Sequence, residues 1–338
     1  MSRRAQTALF LAGAAVFALM LRRIGVAEIA ANATAVGRLF LAILALYGVG
    51  YACNAAAWRL AMGPGGPRPS FWRTYAVTVS GFSLNYVTPM VNAGGEPYRV
   101  AALAPWLGRR GAAASVLLHK MLHSLALLLV WATALALGLV LLPHRPAVMA
   151  PLLLGLGAVG GLAALLLAGH RHGGLERALD LGERVPGLRR WARALEPRRE
   201  TLAEMDRRIR ALYHAAPGRF WAALGLEYLA RCIWMLEYYL ICAGLGLALS
   251  YPRAFVIGGL SSLAQNALFV VPYELGSKEA TSYLLFRLAG LDPRAGVYAA
   301  IVSRARDVLW IAGGLALLAV LGHARRPAAA LPPSGALS

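Results

Sequence analysis

Long apolar segments alternate with short polar connectors along this chain. An apolar stretch of about 20 residues forms a helix that crosses the ~30 Å hydrocarbon layer of a membrane. Two connectors are rich in Gly or Pro and predict turns, residues 62–70 and 143–146. We therefore predict an all-α integral membrane protein with about six full spans. The predicted spans are residues 5–21, 39–60, 111–142, 148–168, 220–249 and 294–321.

Two further apolar regions, residues 77–100 and 255–290, contain a concentration of Pro, Gly, Asn and charged residues that a continuous spanning helix does not have. Pro and Gly break helices, and broken backbone at membrane depth is tolerated only in protein-lined or wet surroundings. We predict that each region enters the bilayer and turns back. With their flanks, these re-entrant elements cover residues 74–108 and 254–292.

Composition supports the membrane assignment and excludes a soluble fold. The chain is 59% hydrophobic and 14% charged with a mean hydropathy of +0.59, whereas soluble proteins carry about 25% charged residues. The formal charge of +19 comes from arginines in the loops, which is typical of cytoplasmic loops and does not require nucleic acid. We expect a bacterial inner-membrane protein, an uncleaved first helix, and cytoplasmic N- and C-termini.

When the crossings are counted with the arginine-rich loops in the cytoplasm, the two re-entrant elements open to opposite sides of the membrane. This arrangement is typical of the inverted repeats of transporters. We predict one membrane domain over residues 1–326 and a disordered tail over 327–338. Residues 170–217 form a hydrophilic, arginine-rich cytosolic insertion with amphipathic spacing. Two interpretations of this insertion stay open, a helix pair on the anionic leaflet surface or a solvated linker.

The candidate binding residues lie at the two breaks, where half-helices are predicted to begin near Glu96 and Lys278. A helix N-terminus favours an anion such as phosphate, and basic side chains there reinforce it. Two interpretations stay open for the glutamates of these first turns, Glu96 and Glu279. They bind substrate, or they only cap their helices or pair with Arg99 and Lys278. The predicted substrate-binding residues are Asn85, Pro89, Gly95, Glu96, Arg99, Asn266, Pro272, Gly276, Lys278 and Glu279.

Other polar residues of the apolar segments have alternative interpretations. Arg304 reaches the second re-entrant element as a further binding residue, or it marks a membrane interface. His119 and His123 lack a third ligand, so we favour snorkelling or a carboxylate partner over zinc. Glu227 and Arg231 have the spacing of a helical ion pair. We expect no metal, no cofactor and no enzymatic activity, since the sequence lacks a GxSxG, P-loop or Asp-rich motif.

The strings GFSLNYVTPMVNAGGEPYRVAAL, VVPYELGSKEATSYLLFRLAGLDP and IVSRARDVLW resemble the flippase-like membrane family of the lysylphosphatidylglycerol synthase transmembrane region. Its first pattern, Asn, Pro and Gly-Glu followed by Arg, matches the first break. Its second pattern, Pro, Leu-Gly and Glu with a later Arg, matches the second break and Arg304. Glu274 and Lys278 depart from that second pattern and leave the headgroup preference open.

The resemblance implies translocation of a polar-headgroup lipid between leaflets, without the aminoacyl-transfer domain. Candidate lipids are an anionic or aminoacylated phospholipid and an isoprenoid lipid. Two alternatives remain, a membrane-embedded transferase for a lipid-linked sugar and a non-catalytic partner of a lipid-modifying enzyme. Candidate protein partners are a second copy of the chain and such an enzyme. The sequence leaves the lipid, the energy source and the oligomeric state open.

Overall fold

The structure, a computed structural model, describes residues 36–63, 67–87, 94–172, 216–267 and 277–323, with four isolated positions between 180 and 207. Within these residues it contains eight α-helices and no strand. The predicted first helix and the tail lie outside the described residues. The insertion also lies outside them, apart from a few residues at its ends and those four positions. The helices are α1 Arg38–Ala61, α2 Phe71–Val87, α3 Gly95–Leu141, α4 Pro146–His172, α5 Pro217–Gly244, α6 Tyr251–Ala267, α7 Ser277–Leu288 and α8 Pro293–His323.

Three of the described helices have the length and composition of membrane spans, namely α1, α3 and residues 146–168 of α4. Helices α5 and α8 have 28 and 31 residues, which is also sufficient length. They differ because they carry charged side chains, most of which are buried in the bundle; Glu227, for example, is 0% exposed. The all-helical membrane class is confirmed, while six full spans remain a prediction.

Helix α3 is two helices joined at Gly108, whose φ of 68° and ψ of 163° interrupt the helical backbone. Glycine adopts this positive φ without the steric cost that a side chain would add. Pro105, one turn earlier, lacks a backbone N–H and weakens the helix just before the kink. Residues 95–107 therefore point in a different direction from the long apolar segment, residues 109–141.

Helix α2 and residues 95–107 of α3 form an antiparallel pair, here called the first hairpin. Arg73 at the start of α2 lies over the ring of Trp106, 5.6 Å from its centroid. At the other end, Asn85 of α2 contacts the backbone of Gly95. Residue numbers therefore rise along one helix as they fall along the other, the order predicted for the first re-entrant element.

Helices α6 and α7 form the second hairpin and pack against each other. Tyr238 of α5 packs against both, because a Cβ built on Gly258 of α6 would lie 3.1 Å from its ring, and the ring of Phe286 on α7 is 6.5 Å away between centroids. The predicted half-helix starts agree with the observed starts of α3 at Gly95 and α7 at Ser277. The turn of each hairpin within the bilayer, and the inverted repeat, remain predictions.

The core lies between α1, α3, α5, α6 and α8, where Ile43, Ile257 and Ile311 are fully buried. Helix α4 is different because its leucines are on the outside, with Leu154 75% exposed and Leu165 69% exposed. A continuous apolar surface of this kind is unfavourable in water and typical of contact with lipid or another apolar helix. Most of the charged side chains described next are buried inside the bundle, whereas the side chain of Lys120 is 51% exposed.

Candidate functional site

Asn85 fixes the start of α3. Its Oδ1 accepts a hydrogen bond from the backbone N–H of Gly95 at 2.7 Å, and its Nδ2 donates to Oε1 of Glu96 at 3.3 Å. The first N–H groups of a helix lack partners within the helix, so Asn85 satisfies one of them from the neighbouring helix. Gly95 permits the contact, because a Cβ there would overlap the backbone oxygen of Gly81.

Glu96 pairs with Lys120. The pair connects residues 95–107 of α3 with its long apolar segment, on the other side of the kink. The Nζ of Lys120 lies 2.8 Å from Oε1 of Glu96. The alternative prediction, an ion pair between Glu96 and Arg99, is therefore wrong, because Glu96 contacts Lys120 instead. Arg99 instead donates from Nη2 to the backbone oxygen of Thr78 at 3.3 Å, and its guanidinium lies 5.9 Å from the centroid of Trp58.

The first turn of α7 holds two separate ion pairs with α8. Arg304 donates twice to Glu279, from Nε to Oε1 at 2.6 Å and from Nη2 to Oε2 at 3.0 Å. Lys278 donates from Nζ to Oδ2 of Asp307 at 3.2 Å. Glu279 therefore pairs with Arg304 rather than with Lys278. Of the two expectations for Arg304, the structure shows the contact with the second hairpin.

A third group joins α1, α3 and α5 around Glu227, whose side chain is 0% exposed. Oε1 lies 2.9 Å from Nε2 of His119, and Oε2 lies 2.8 Å from Nδ1 of His123. Oε2 also accepts from Nδ2 of Asn54 at 2.8 Å. The two histidines therefore have the carboxylate partner that the sequence favoured over zinc. Arg231 donates to the backbone oxygen of His123 at 3.1 Å.

Sequence reasoning did not place Glu227 in this group, although its spacing carried the signal. Ala223, Leu224, Glu227, Ala230 and Arg231 are all buried, at steps of three and four residues along α5. A carboxylate on the apolar, inward face of a helix requires partners on the facing helices, since an unpaired buried charge is very costly. Glu227 therefore contacts side chains of α1 and α3 instead of forming the expected ion pair with Arg231.

The other group that sequence reasoning missed surrounds Arg306 of α8. Its guanidinium lies 3.6 Å above the ring of Tyr47, and Nη2 is 3.3 Å from both Glu237 and Asp307. The hydroxyl of Tyr47 donates to the same carboxylate oxygen of Glu237 at 2.9 Å. Because Asp307 also accepts from Lys278, this group is continuous with the ion pairs of the second hairpin.

The charged side chains form two clusters, and Tyr51 interacts electrostatically with one member of each. Its hydroxyl is within electrostatic reach of Arg99 and of Asp307, and its ring packs between Trp234 and Trp310 at centroid distances of 5.6 and 5.0 Å. The first charged cluster contains Glu96, Arg99, Lys120, Glu227 and Arg231. The second charged cluster contains Glu237, Lys278, Glu279, Arg304, Arg306 and Asp307.

The sequence as a whole matches one protein-family model, described as lysylphosphatidylglycerol synthase TM region, over residues 6–321. The chain belongs to the lysylphosphatidylglycerol synthase TM region family. The suspected family is thereby confirmed, and the match extends through both hairpins and into the last described helix. No curated protein and no solved structure matches the chain.

The structure brings together only part of the residues that the family motifs and the sequence singled out. Asn266 does not reproduce the role of Asn85, because it is exposed and donates from Nδ2 to the backbone oxygen of Ser262 on its own helix at 2.9 Å. Pro89, Pro272 and Gly276 lie outside the described residues. Among the residues that the structure describes, no group of three or more His, Cys, Asp or Glu side chains is placed to hold a metal ion.

Proposed function

We propose that this protein moves a lipid with a polar headgroup between the two leaflets of the bacterial inner membrane, with both termini in the cytoplasm. Membership of the lysylphosphatidylglycerol synthase TM region family indicates a role related to membrane lipids. The observation that carries the proposal of translocation is that a helix begins within each hairpin, α3 at Gly95 in the first and α7 at Ser277 in the second. Each of these first turns holds a glutamate in an ion pair, inside a bundle with an apolar exterior.

The ion pairs are suited to exchange with a headgroup. Ionisable side chains inside a membrane protein are costly and mark substrate or ion pathways. A headgroup phosphate competes with Glu96 for Lys120 and with Glu279 for Arg304, while a headgroup ammonium competes for the glutamates. Neither group has to be moved into an uncompensated environment, because each charge that loses its protein partner gains one from the lipid.

The charge balance favours an anionic group at the first hairpin. The first charged cluster has three basic residues and two carboxylates, whereas the second has three of each. Within the described residues, the buried Nε of Arg99 has no hydrogen-bond partner. A phosphate oxygen would satisfy this donor and offset the excess positive charge. The lipid class that fits is therefore a phospholipid or another phosphate-linked lipid.

Purified protein in vesicles with a fluorescent phosphatidylglycerol tests the proposal. The fraction of fluorescence quenched by external dithionite reports leaflet exchange. We expect rapid exchange with the unmodified protein and a loss of at least about tenfold in the double variant Glu96→Gln, Glu279→Gln. Without these carboxylates to compete for them, Lys120 and Arg304 keep the headgroup phosphate bound, and a hydrogen bond to a charged group contributes about 1.5–3 kcal/mol.

The matched control is Asp292→Asn, which removes an exposed charge while keeping the oxygen that accepts from the backbone N–H of Arg294. Its exchange rate should equal that of the unmodified protein. Exchange no faster than in empty vesicles, or exchange unaffected by the double variant, would overturn the proposal. A sugar-transfer product formed by the purified protein, or co-purification with a lipid-modifying enzyme without exchange, would favour the two rival functions.

A further inference from the structure

We propose that the buried group formed by Glu227, His119, His123 and Asn54, here called the Glu227 site, binds a proton in concert with the lipid headgroup. This inference rests on the proposed translocation and adds its coupling ion. The function argued above counts Glu227 only in the charge balance of the first charged cluster and does not use His119, His123 or Asn54. Three of them, Glu227, His119 and His123, can bind a proton. One ring connects them to Arg99 of the predicted headgroup site, because Trp58 stacks on His119 and lies 5.9 Å from the guanidinium of Arg99.

The hydrogen bonds show how the proton is held. Both oxygens of Glu227 accept, one from His119 at 2.9 Å and the other from His123 at 2.8 Å and Asn54 at 2.8 Å. A neutral imidazole has one N–H, and each histidine directs one ring nitrogen to the carboxylate. An added proton on the other ring nitrogen leaves all of these contacts in place. The site therefore changes charge without rearranging.

His123 is the residue through which a proton enters. Its side chain is 41% exposed, whereas that of His119 is 6% exposed and that of Glu227 is fully buried. The ring of His119 also stacks on Trp58 with 4.9 Å between centroids and 15° between planes. His119 and Glu227 are thus enclosed on the inner side of the site, and the nitrogen of His123 that does not face Glu227 is the exposed titratable position.

Several ionisable groups face the Glu227 site from the three helices that build it. Together they carry a net positive charge. These groups are Cys53 of α1, Glu96, Arg99 and Lys120 of α3, and Arg231 of α5. Arg99 connects the Glu227 site to the predicted headgroup site, because its guanidinium lies 5.9 Å from the centroid of Trp58, the ring on which His119 stacks.

Headgroup binding and proton binding are therefore linked. A phosphate on Arg99 brings negative charge close to the Glu227 site, which favours an added proton there, so the lipid promotes proton uptake. By thermodynamic reciprocity, a proton on the site increases affinity for the phosphate by the same factor. A lipid that binds together with a proton on one side of the membrane, and is released together with it on the other, is then driven by a difference in pH across the membrane.

Proton counting on the purified full-length protein tests the coupling directly. Soluble short-chain phosphatidylglycerol is added to protein in weakly buffered detergent, a dye records the change in pH, and lipid binding is measured in parallel. We expect uptake approaching one proton per bound lipid, and an affinity that rises by up to about tenfold per unit decrease in pH, since one proton is linked to one lipid.

Two variants and one control assign the effect to the site. His123→Gln keeps a hydrogen-bonding side chain at a half-exposed position, and Glu227→Gln keeps the shape of the buried acid. Both should bind lipid with an affinity that no longer follows pH and should take up no proton. His144→Gln, in the exposed turn between α3 and α4, should behave as the unmodified protein. Thermal unfolding of each variant shows whether the fold is retained.

The outcomes separate this inference from the function on which it rests. Leaflet exchange in vesicles without any proton uptake, or uptake that persists in His123→Gln, overturns the coupling and leaves translocation standing. Absence of both lipid binding and exchange in the unmodified protein overturns both. Lipid-dependent uptake that is lost in the two variants and kept in His144→Gln supports both.

Discussion

Replacing Gly95 by alanine should separate the two helices of the first hairpin. A Cβ built on Gly95 would lie 2.6 Å from Oδ1 and 2.9 Å from Cγ of Asn85, where ordinary van der Waals contacts are 3.4–4 Å. It would also overlap the backbone oxygen of Gly81. Backbone cannot rotate away as a flexible side chain can, so α2 must move from α3 by several tenths of an ångström or more.

The cost has two parts. Forcing an extra carbon into a close-packed contact costs about 1–3 kcal/mol. The displacement also lengthens the hydrogen bond from the Gly95 N–H to Asn85, a helix-start contact of the kind that contributes about 0.5–2 kcal/mol. Alanine is the better helix former by up to about 1 kcal/mol and offsets part of this loss. We expect Gly95→Ala to lower the free energy of unfolding by about 2 kcal/mol.

Equilibrium unfolding of the purified protein by SDS in mixed micelles measures this difference. The matched control is Gly157→Ala in α4, where a Cβ would meet no atom within 4 Å. That variant should be as stable as the unmodified protein or up to about 1 kcal/mol more stable. Equal stability of Gly95→Ala and Gly157→Ala would refute the close packing of the first hairpin.

Two further predictions concern the second hairpin and the outer surface. A double-mutant cycle with Glu279→Gln and Arg304→Met should give a coupling energy of about 1.5–3 kcal/mol, because the bidentate pair is charge-assisted and Arg304 is 5% exposed; a value near zero would contradict the pair. In a cysteine-free background, Leu154→Cys should react with a lipid-soluble maleimide far faster than Val130→Cys, since Leu154 is 75% exposed and Val130 is 1% exposed; equal rates would contradict the outward face of α4.

The helix boundaries were largely readable in the sequence. Apolar length predicted α1 as residues 39–60, and the structure gives Arg38–Ala61. Gly and Pro concentrations located the two breaks, and the predicted half-helix starts fall within one or two residues of those observed. These features are local, because a proline or a glycine acts on the backbone of its own turn. The kink at Gly108 falls between the predicted first re-entrant element, which ends at residue 108, and the span predicted to begin at residue 111.

The sequence by itself determined the membrane class, the family, the two breaks and the presence of charge beside each break. Only the tertiary structure decided which charges meet: Glu96 with Lys120, Glu279 with Arg304, and Glu227 with two histidines more than 100 residues away. Pairing depends on how helices pack and which faces they turn to each other, and an ion pair contributes only when its atoms are within a few ångströms. Spacing along one helix carries no information on that distance.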